Sequence, residues 1–388
     1  MAQAKDLRVL QVMECTIGGA RRHLTDVARG LAARGHDIHL AVAAERQPDF
    51  RETLAELAEA GCTVHEIPLR REISPRMDAR HLVQLKGLMR ELAPDVVHTH
   101  SSKAGVLGRL ASIGAGVGKR VHTPHTMAFL FREMFGPLKR AVFFRIERSL
   151  ARSTDAVVAV SESEARTFAE SGVVAPEKVR VVPNGIDPTP FQGAAPVDLA
   201  ALGLDPDRPT AAVVGLLNVA KGQDFAIEAI CGHPDLQLLL AGSGETEAEL
   251  RALAERLGVA DRVAFAGFRR DVPELLAAAD LLLLPSRWEG MPYIVLEAMA
   301  AGLPVAATPV DGARDLVLHG ETGWLAEASS AAAIAALLGE ALSATPEERA
   351  TLGAAGRERV LADYTADAMV ERLVALYAEL CSGSLPAA

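Results

Sequence analysis

The feature that most restricts the fold is an alternation, run through twice, of short apolar segments of strand length with longer segments of helical periodicity. It starts with Leu7–Val12, Ala20–Arg34 and Ile38–Val42, and continues through Thr63–Ile67, Asp95–His98, Arg120–His122, Ala156–Val160 and Val179–Val182. Parallel strands need long crossovers, usually helical, and this order supplies one between most pairs of strands. After Pro183-Asn184-Gly185-Ile186-Asp187, a turn-rich stretch through Pro188, Pro190, Gly193, Pro196 and Pro206 reads as a linker. A second cycle follows, with strands predicted at Ala211–Val214, Gln237–Leu240, Val263–Phe265, Leu281–Leu284 and Val305–Ala307. The predicted class is α/β, with two doubly wound Rossmann-like parallel-sheet domains over residues 1–187 and 188–365. A last helix near Ala366–Leu380, within 366–388, is expected to pack back on the first domain.

At 388 residues and 49% hydrophobic side chains, each half can bury a core of its own. The net charge of −10 argues against general nucleic-acid binding, which draws on a broad surplus of Lys and Arg. Cys15, Cys62, Cys231 and Cys381 are widely spaced, and are read as reduced, buried thiols rather than a disulfide framework. Met1–Leu10 carries charges at Lys5, Asp6 and Arg8 and has no apolar core, and no later run is long and uncharged enough to span a bilayer. The expected location is cytoplasmic, with attachment to the inner face of a membrane left open.

In open α/β sheets ligands sit beyond the carboxyl ends of the strands, so two such domains facing each other are expected to hold the chemistry in the cleft between them. The most informative strand end is Pro285-Ser286-Arg287-Trp288-Glu289-Gly290-Met291-Pro292-Tyr293-Ile294-Val295-Leu296-Glu297. It turns at Glu289-Gly290 and opens a helix near Pro292, whose missing N–H is tolerated there. Free N–H groups of Gly290, Met291, Pro292-Tyr293 at such a start favour anionic or oxygen-rich ligands, proline itself contributing only shape. Glu297, about one and a half turns further in, is placed to accept two ribose hydroxyls.

Glu289 and Glu297 form the E-x7-E pattern of the family 4 retaining glycosyltransferases, and the segment EGMPYIVLEAMAAGLPVAAT resembles that family nearly throughout. The resemblance implies the GT-B fold and transfer of a sugar from a nucleoside diphosphate, with UDP favoured. It implies that Glu297 binds the ribose, that Glu289 contacts the transferred sugar, and that the backbone from Gly290 to Tyr293 assists. Lys221, in Gly215-Leu216-Leu217-Asn218-Val219-Ala220-Lys221-Gly222, falls in the family's phosphate-binding turn, where its ammonium would compensate the departing diphosphate. Leu216 departs from the pattern, because many members carry an arginine there; Arg287 and Arg269 are the candidates to replace it. Phe268 and Arg269 occupy the segment where the family holds the base. The turn Gly242-Ser243-Gly244-Glu245 is weaker support.

In the N-terminal half, GGARRHLTDVARGLAARGH is similar to the family's opening motif, which assigns Gly19 to the donor side of the cleft and Gly18 to the acceptor side. Thr123-Pro124-His125 resembles the family's T-x-H at the sugar side of the cleft, making His125 a catalytic candidate that contacts the donor sugar or the acceptor; His98, His100 and His122 are read as structural. Their clustering raises a metal site, but no Cys or carboxylate accompanies them at ligand spacing, and the family implies no metal or other cofactor. His98-Thr99-His100-Ser101-Ser102-Lys103 looks like the matching segment of members that build bacterial surface polysaccharides on polyprenyl diphosphate, so Lys103 is expected to meet an acceptor phosphate. Phe129, Phe131, Phe135, Phe143 and Phe144 interleave with Arg132, Lys139, Arg140, Arg145, Arg148 and Arg152, which suits an interfacial segment over 129–152 on an anionic leaflet.

Two rival classes remain at this level. A nucleotide-sugar epimerase or phosphorylase of similar fold would act without an acceptor, or would need inorganic phosphate or a pyridoxal cofactor. A sugar-nucleotide-binding subunit without catalysis would bind donor and not turn it over, and Leu216 keeps that reading open. A dehydrogenase is excluded by the lack of G-x-G-x-x-G after the first strand.

Overall fold

The computed structural model describes residues 6–14, 17–44, 49–70 and 72–383. The chain divides into two compact units, Met1–Asn184 with Ala366–Ala388, and Gly185–Thr365.

The first unit is built on seven strands: β1 (Arg8–Met13), β2 (Asp37–Val42), β3 (Thr63–Glu66), β4 (Val96–His100), β5 (Lys119–Thr123), β6 (Ala156–Ala159) and β7 (Val179–Val181). Their order is β3-β2-β1-β4-β5-β6-β7, and every pairing is parallel. Helices cover both faces, and β1 shows how a short run serves two cores at once. Alternate side chains of a strand point to opposite faces. Val9 and Met13 join Leu24, Val27 and Leu31 of the helix Gly18–Ala32, together with Leu373 and Tyr377 of the C-terminal helix Ala366–Ser382. Leu10 and Val12 join Leu85 and Met89 of Pro75–Leu92, with Leu107 and Ala111 of Ser102–Ala115. Gln11 lies on the Val9 side, a buried amide among apolar side chains that must find partners there.

The second unit repeats the plan with β8 (Thr210–Val214), β9 (Gln237–Ala241), β10 (Val263–Gly267), β11 (Leu281–Leu284), β12 (Val305–Ala307) and β13 (Gly323–Leu325), in the order β10-β9-β8-β11-β12-β13. The three-residue β13 escapes sequence reading because Gly-Trp-Leu is too short to show a period. The helix Tyr293–Ala301 is buried from Tyr293 to Ala300, so it is apolar on all sides except at Glu297. Helix Pro346–Asp363 packs on it through Gly353, where a Cβ would stand 1.9 Å from the Gly302 carbonyl oxygen.

Two expectations change. Cys62 is buried, but Cys231 and Cys381 are exposed, because each lies on an outer helical turn; Cys15 falls outside the described residues. Phe129 is buried and packs with Phe143 and Phe144 in a core cluster beneath the helix Pro137–Ala151. The exposed apolar residues of that region are instead Met134, Leu138, Val142 and Ile146, the last three spaced four apart along one helix face.

Candidate active site

In each sheet the strand order reverses once, between β1 and β4 and between β8 and β11, and the crevice beyond such a reversal is where a doubly wound fold receives ligands. Lys221, Glu289 and Glu297 follow β8 and β11 in the second unit, and Gly18, Gly19 and Lys103 follow β1 and β4 in the first; His125 follows β5, and Phe268 and Arg269 follow the edge strand β10.

In the second unit, the turn after β8 becomes a short 3-10 helix, Val219–Lys221, capped by the Asn218 side chain accepting from the Lys221 amide. Gly222 then takes φ 64°, and a Cβ there would lie 2.1 Å from the Pro285 carbonyl oxygen after β11. Only glycine lets the two loops approach so closely. The approach places the Lys221 ammonium 2.6 Å from Glu289 Oε1, which also accepts from Ser286 Oγ at 2.7 Å. Ser286 is itself held by Thr308 Oγ1, which donates to its carbonyl at 2.7 Å. Lys221 and Glu289, chosen separately from sequence, thus form one charged pair with side chains only 25% and 12% exposed. Glu297 is buried in the helix that begins just beyond. Pro292 caps the start of this helix, and Gly312 draws close beneath it, its Cβ position 2.4 Å from the Gly290 carbonyl oxygen.

The two arginines offered in place of the missing one at position 216 are already engaged. Arg287 meets Asp224 in a two-pronged pair at 2.8 and 2.6 Å and stacks 3.8 Å over the Phe225 ring. It braces the Lys221 loop, donating to the Val219 carbonyl at 3.0 Å. Arg269 holds Asp271 at 2.8 and 2.5 Å, which lowers the Asp271 carboxyl below its ordinary range through that hydrogen bond. Phe268 beside it is 69% exposed, so it is a surface ring rather than a core aromatic.

In the first unit, Gly18 opens the helix Gly18–Ala32 at φ 60°, with Gly19 exposed behind it. Lys103 is engaged elsewhere, 2.6 Å from Asp78 Oδ1 and donating to the Glu72 carbonyl. Its backbone N–H and that of Ala104 donate to the buried Glu14 carboxyl group at 3.0 and 2.9 Å, so this helix start is already occupied by an acceptor, whose pKa burial pushes up. Beyond β4 and β5, Ser101, His125 and Thr126 have φ of 59°, 51° and 77°, a cluster of left-handed non-glycine residues typical of functional loops. Glu164 fixes the loop by accepting from Thr126 N at 2.9 Å and Val160 N at 2.8 Å.

His125 does not stand alone. Its Nε2 lies 3.2 Å from His100 Nδ1, and its ring meets that of His23 edge-on at 4.7 Å. Burial drives His98, His100, His122 and His125 well below the ordinary imidazole value, and His23 down to about 4, so all five are neutral near pH 7. One nitrogen each of His23, His100 and His125 lies within 4.8 Å of the others, a grouping able to hold a metal only if it contracts to the roughly 3.3 Å that a tetrahedral ion with ~2.0 Å bonds needs. His23, Gln11, Ser286, Asp224 and Tyr377 were not singled out from sequence; each is an ordinary core, cap or helix residue until its distant partner is known.

Known proteins resemble the chain in sequence and in fold. The family described as Glycosyltransferase Family 4 matches residues 17–189, and that described as Glycosyl transferases group 1 matches 196–359. The chain is 33% identical over 267 residues to the UDP-Gal:alpha-D-GlcNAc-diphosphoundecaprenol alpha-1,3-galactosyltransferase of Escherichia coli, covering 66% of this chain and 68% of that one. It is 33% identical over 315 residues to the alpha-maltose-1-phosphate synthase of Mycolicibacterium smegmatis, covering 74% and 79%. In three dimensions it resembles Anabaena HepE in complex with UDP and glucose, with TM-score 0.80, 24% identity and coverage of 98% and 100%. It also resembles sucrose-phosphate synthase from Thermosynechococcus elongatus, with TM-score 0.82, 23% identity and coverage of 97% and 99%. At those identities the structural likeness speaks for the GT-B fold, and the sequence matches speak for the family. The chain belongs to the glycosyltransferases, with a family 4 N-terminal part and a group 1 C-terminal part.

Proposed function

We propose that the chain transfers a sugar from a nucleoside diphosphate, most naturally UDP, to a hydroxyl of a polyprenyl-diphosphate-linked or other surface glycan, with retained anomeric configuration. The observation that carries the reading is the Lys221–Glu289–Ser286 cluster at the β8–β11 reversal, just before the helix that holds Glu297. An ammonium beside a carboxylate in a partly buried turn is preorganised: it can shift to an arriving diphosphate without being desolvated anew. Lys221 then compensates charge on the leaving phosphate, assisted by N–H groups at Gly290, Met291 and Tyr293 beside Pro292, while Glu297 takes the ribose hydroxyls. Glu289 positions the sugar, Phe268 and the backbone at Arg269 flank the base, and His125 is assigned to contact the donor sugar or the acceptor. Gly19 lets main chain approach the donor and Gly18 the acceptor; Lys103 contributes to acceptor binding only by leaving Asp78. No metal is assigned a role, since the compensating charge comes from Lys221 and oriented amides. The donor and acceptor named for the Escherichia coli relative and the UDP held by HepE support UDP and a lipid-linked acceptor.

The engagement of Arg287 and Arg269 by carboxylates, together with Leu216, favours the second reading, a donor-binding subunit without turnover. Incubation with UDP-, GDP- and ADP-sugars and polyprenyl-diphosphate-linked acceptors decides between them. One nucleoside diphosphate released per sugar mass gained by the acceptor, lost in Glu297→Ala, establishes transfer; tight binding with neither change establishes the subunit.

A lipid-linked acceptor would be met at a cytoplasmic membrane face. Among the described residues no helix is long and apolar enough to cross a bilayer, but Leu138, Val142 and Ile146 lie exposed on a helix carrying Lys139, Arg140, Arg145 and Arg148. That stripe, rather than the phenylalanines beneath it, is the proposed contact with anionic lipid. Flotation with anionic vesicles is expected at low salt and to fade with added salt; Leu138→Ser with Val142→Ser abolishes it, and equal flotation of that double variant would refute the contact.

A further inference from the structure

A continuous line of buried hydrogen bonds joins the C-terminal helix to His125. Tyr377 Oη lies 2.6 Å from His98 Nδ1, and His98 Nε2 lies 2.8 Å from Thr123 Oγ1. Gln11 Nε2 donates to Tyr377 Oη at 3.4 Å, and Gln11 Oε1 lies 2.7 Å from His100 Nε2. His100 Nδ1 in turn lies 3.2 Å from His125 Nε2. Tyr377, Gln11, His98 and His100 are all fully buried, so water cannot supply alternative partners.

The line has a direction. A phenol has one hydrogen; its oxygen receives the Gln11 amide, and His98 Nδ1 is its one other partner among the described residues, so the buried hydrogen is satisfied by going there. A neutral imidazole carries one N–H, so His98 donates from Nε2 to Thr123. At the other end of the Gln11 side chain the carbonyl oxygen can only accept, which puts the His100 hydrogen on Nε2. His100 Nδ1 is then an acceptor and must receive from His125 Nε2. No described residue bonds to His125 Nδ1.

We propose that Tyr377 is a positioning residue for His125: by ordering the hydrogens through Gln11 and His100, it keeps the His125 proton on Nε2 and leaves Nδ1 as the acceptor for a substrate hydroxyl hydrogen. This rests on the reading of His125 as a sugar contact and adds its polarity. A hydroxyl-bearing sugar satisfies such an acceptor, whereas a phosphate or carboxylate oxygen, with no hydrogen to give, is rejected there. It also gives the C-terminal helix a part in the chemistry of a residue some 250 positions earlier in the chain, about the separation over which such coupling is invisible to local patterning.

The test reads the tautomer directly. In protein labelled with 15N-histidine, long-range 15N–1H spectra assign His125 by the signal lost in His125→Ala, and the wild type is expected in the Nε2–H form. Tyr377→Phe removes the acceptor that pins the Gln11 amide, so the amide can turn over; a mixture of His125 tautomers and a roughly tenfold fall in turnover are expected, with native circular dichroism. Gln11→Glu draws a second proton onto His100, whose Nδ1–H then donates to His125 and drives it to the Nδ1–H form. Wild-type His125 already carrying Nδ1–H, or both variants retaining the pure Nε2–H form, overturns the proposal. If the tautomers respond as expected but His125→Ala turns over like the wild type, the relay stands and the sugar-contact reading fails instead.

Discussion

Lys221→Ala is expected to lower the rate of nucleoside diphosphate release by roughly 10²–10³-fold while leaving the fold intact. The magnitude is that of removing one preorganised donor from developing negative charge, ~3–4 kcal/mol. The fold should survive because the Lys221 side chain is a quarter exposed and its loop is held independently by the Asn218 cap and by Arg287. Lys221→Arg should recover little, since a planar fork cannot replace a compact ammonium 2.6 Å from a carboxylate whose other partner is a serine hydroxyl. Steady-state release from the donor identified by the panel, beside a thermal melt, makes the comparison. Full activity in Lys221→Ala would remove the charged pair from the mechanism.

The largest expected loss of stability lies away from both strand reversals. Arg109, 1% exposed, donates from Nη2 to Glu147 at 2.7 Å and from Nε to the Gly105 carbonyl at 2.7 Å, while its Nη1 has no partner among the described residues. Glu147→Ala leaves a buried guanidinium without its counter-charge, which costs about 3–5 kcal/mol. For a unit of this size the melting temperature should fall by roughly 6–20 °C. Replacing both members with apolar side chains, Arg109→Met with Glu147→Leu, removes the desolvated charge as well and should restore most of that loss. Thermal or urea unfolding of the single and double variants provides the check; a double variant no better than the single would show that the pair is needed for more than its own neutralisation.

How much of this was legible in the sequence depends on how far apart the partners are. The strands were legible because a strand buried on both faces is a run of apolar residues, as at Leu281–Leu284, and because a helix opens after most of them. Glu289 and Glu297 were legible because their relation is local, set by one turn and one helix. The contact between Lys221 and Glu289 was not, since 68 residues separate them and only the packing of β8 beside β11 joins their loops. Arg287 looked available because Asp224 is 63 residues away. The phenylalanines of 129–144 looked like a surface because basic residues alternate with them; in the structure Phe129, Phe143 and Phe144 pack into a core cluster and the exposed apolar residues are Leu138, Val142 and Ile146. Gln11, His98 and Tyr377 show the limit most plainly. Each reads as a polar lapse in an apolar run until the C-terminal helix is brought against β1 and β4.

That the helix Ala366–Ser382 belongs to the first unit has a consequence for the order in which the molecule is made. Met369, Val370, Leu373, Leu376 and Tyr377 complete the hydrophobic layer over β1, β2 and β4, yet they leave the ribosome only after the whole of the second unit. Domains usually mature in the order of synthesis. Here the second unit, contiguous from Gly185 to Thr365, has its whole sequence available first, while the first waits with an unfilled seam beside Gln11 and His98 until the helix Ala366–Ser382 emerges. The nascent N-terminal half is therefore the natural client of chaperones, and a message cut short before the codons for Ala366–Ser382 yields a polypeptide with a finished second unit and an open first one.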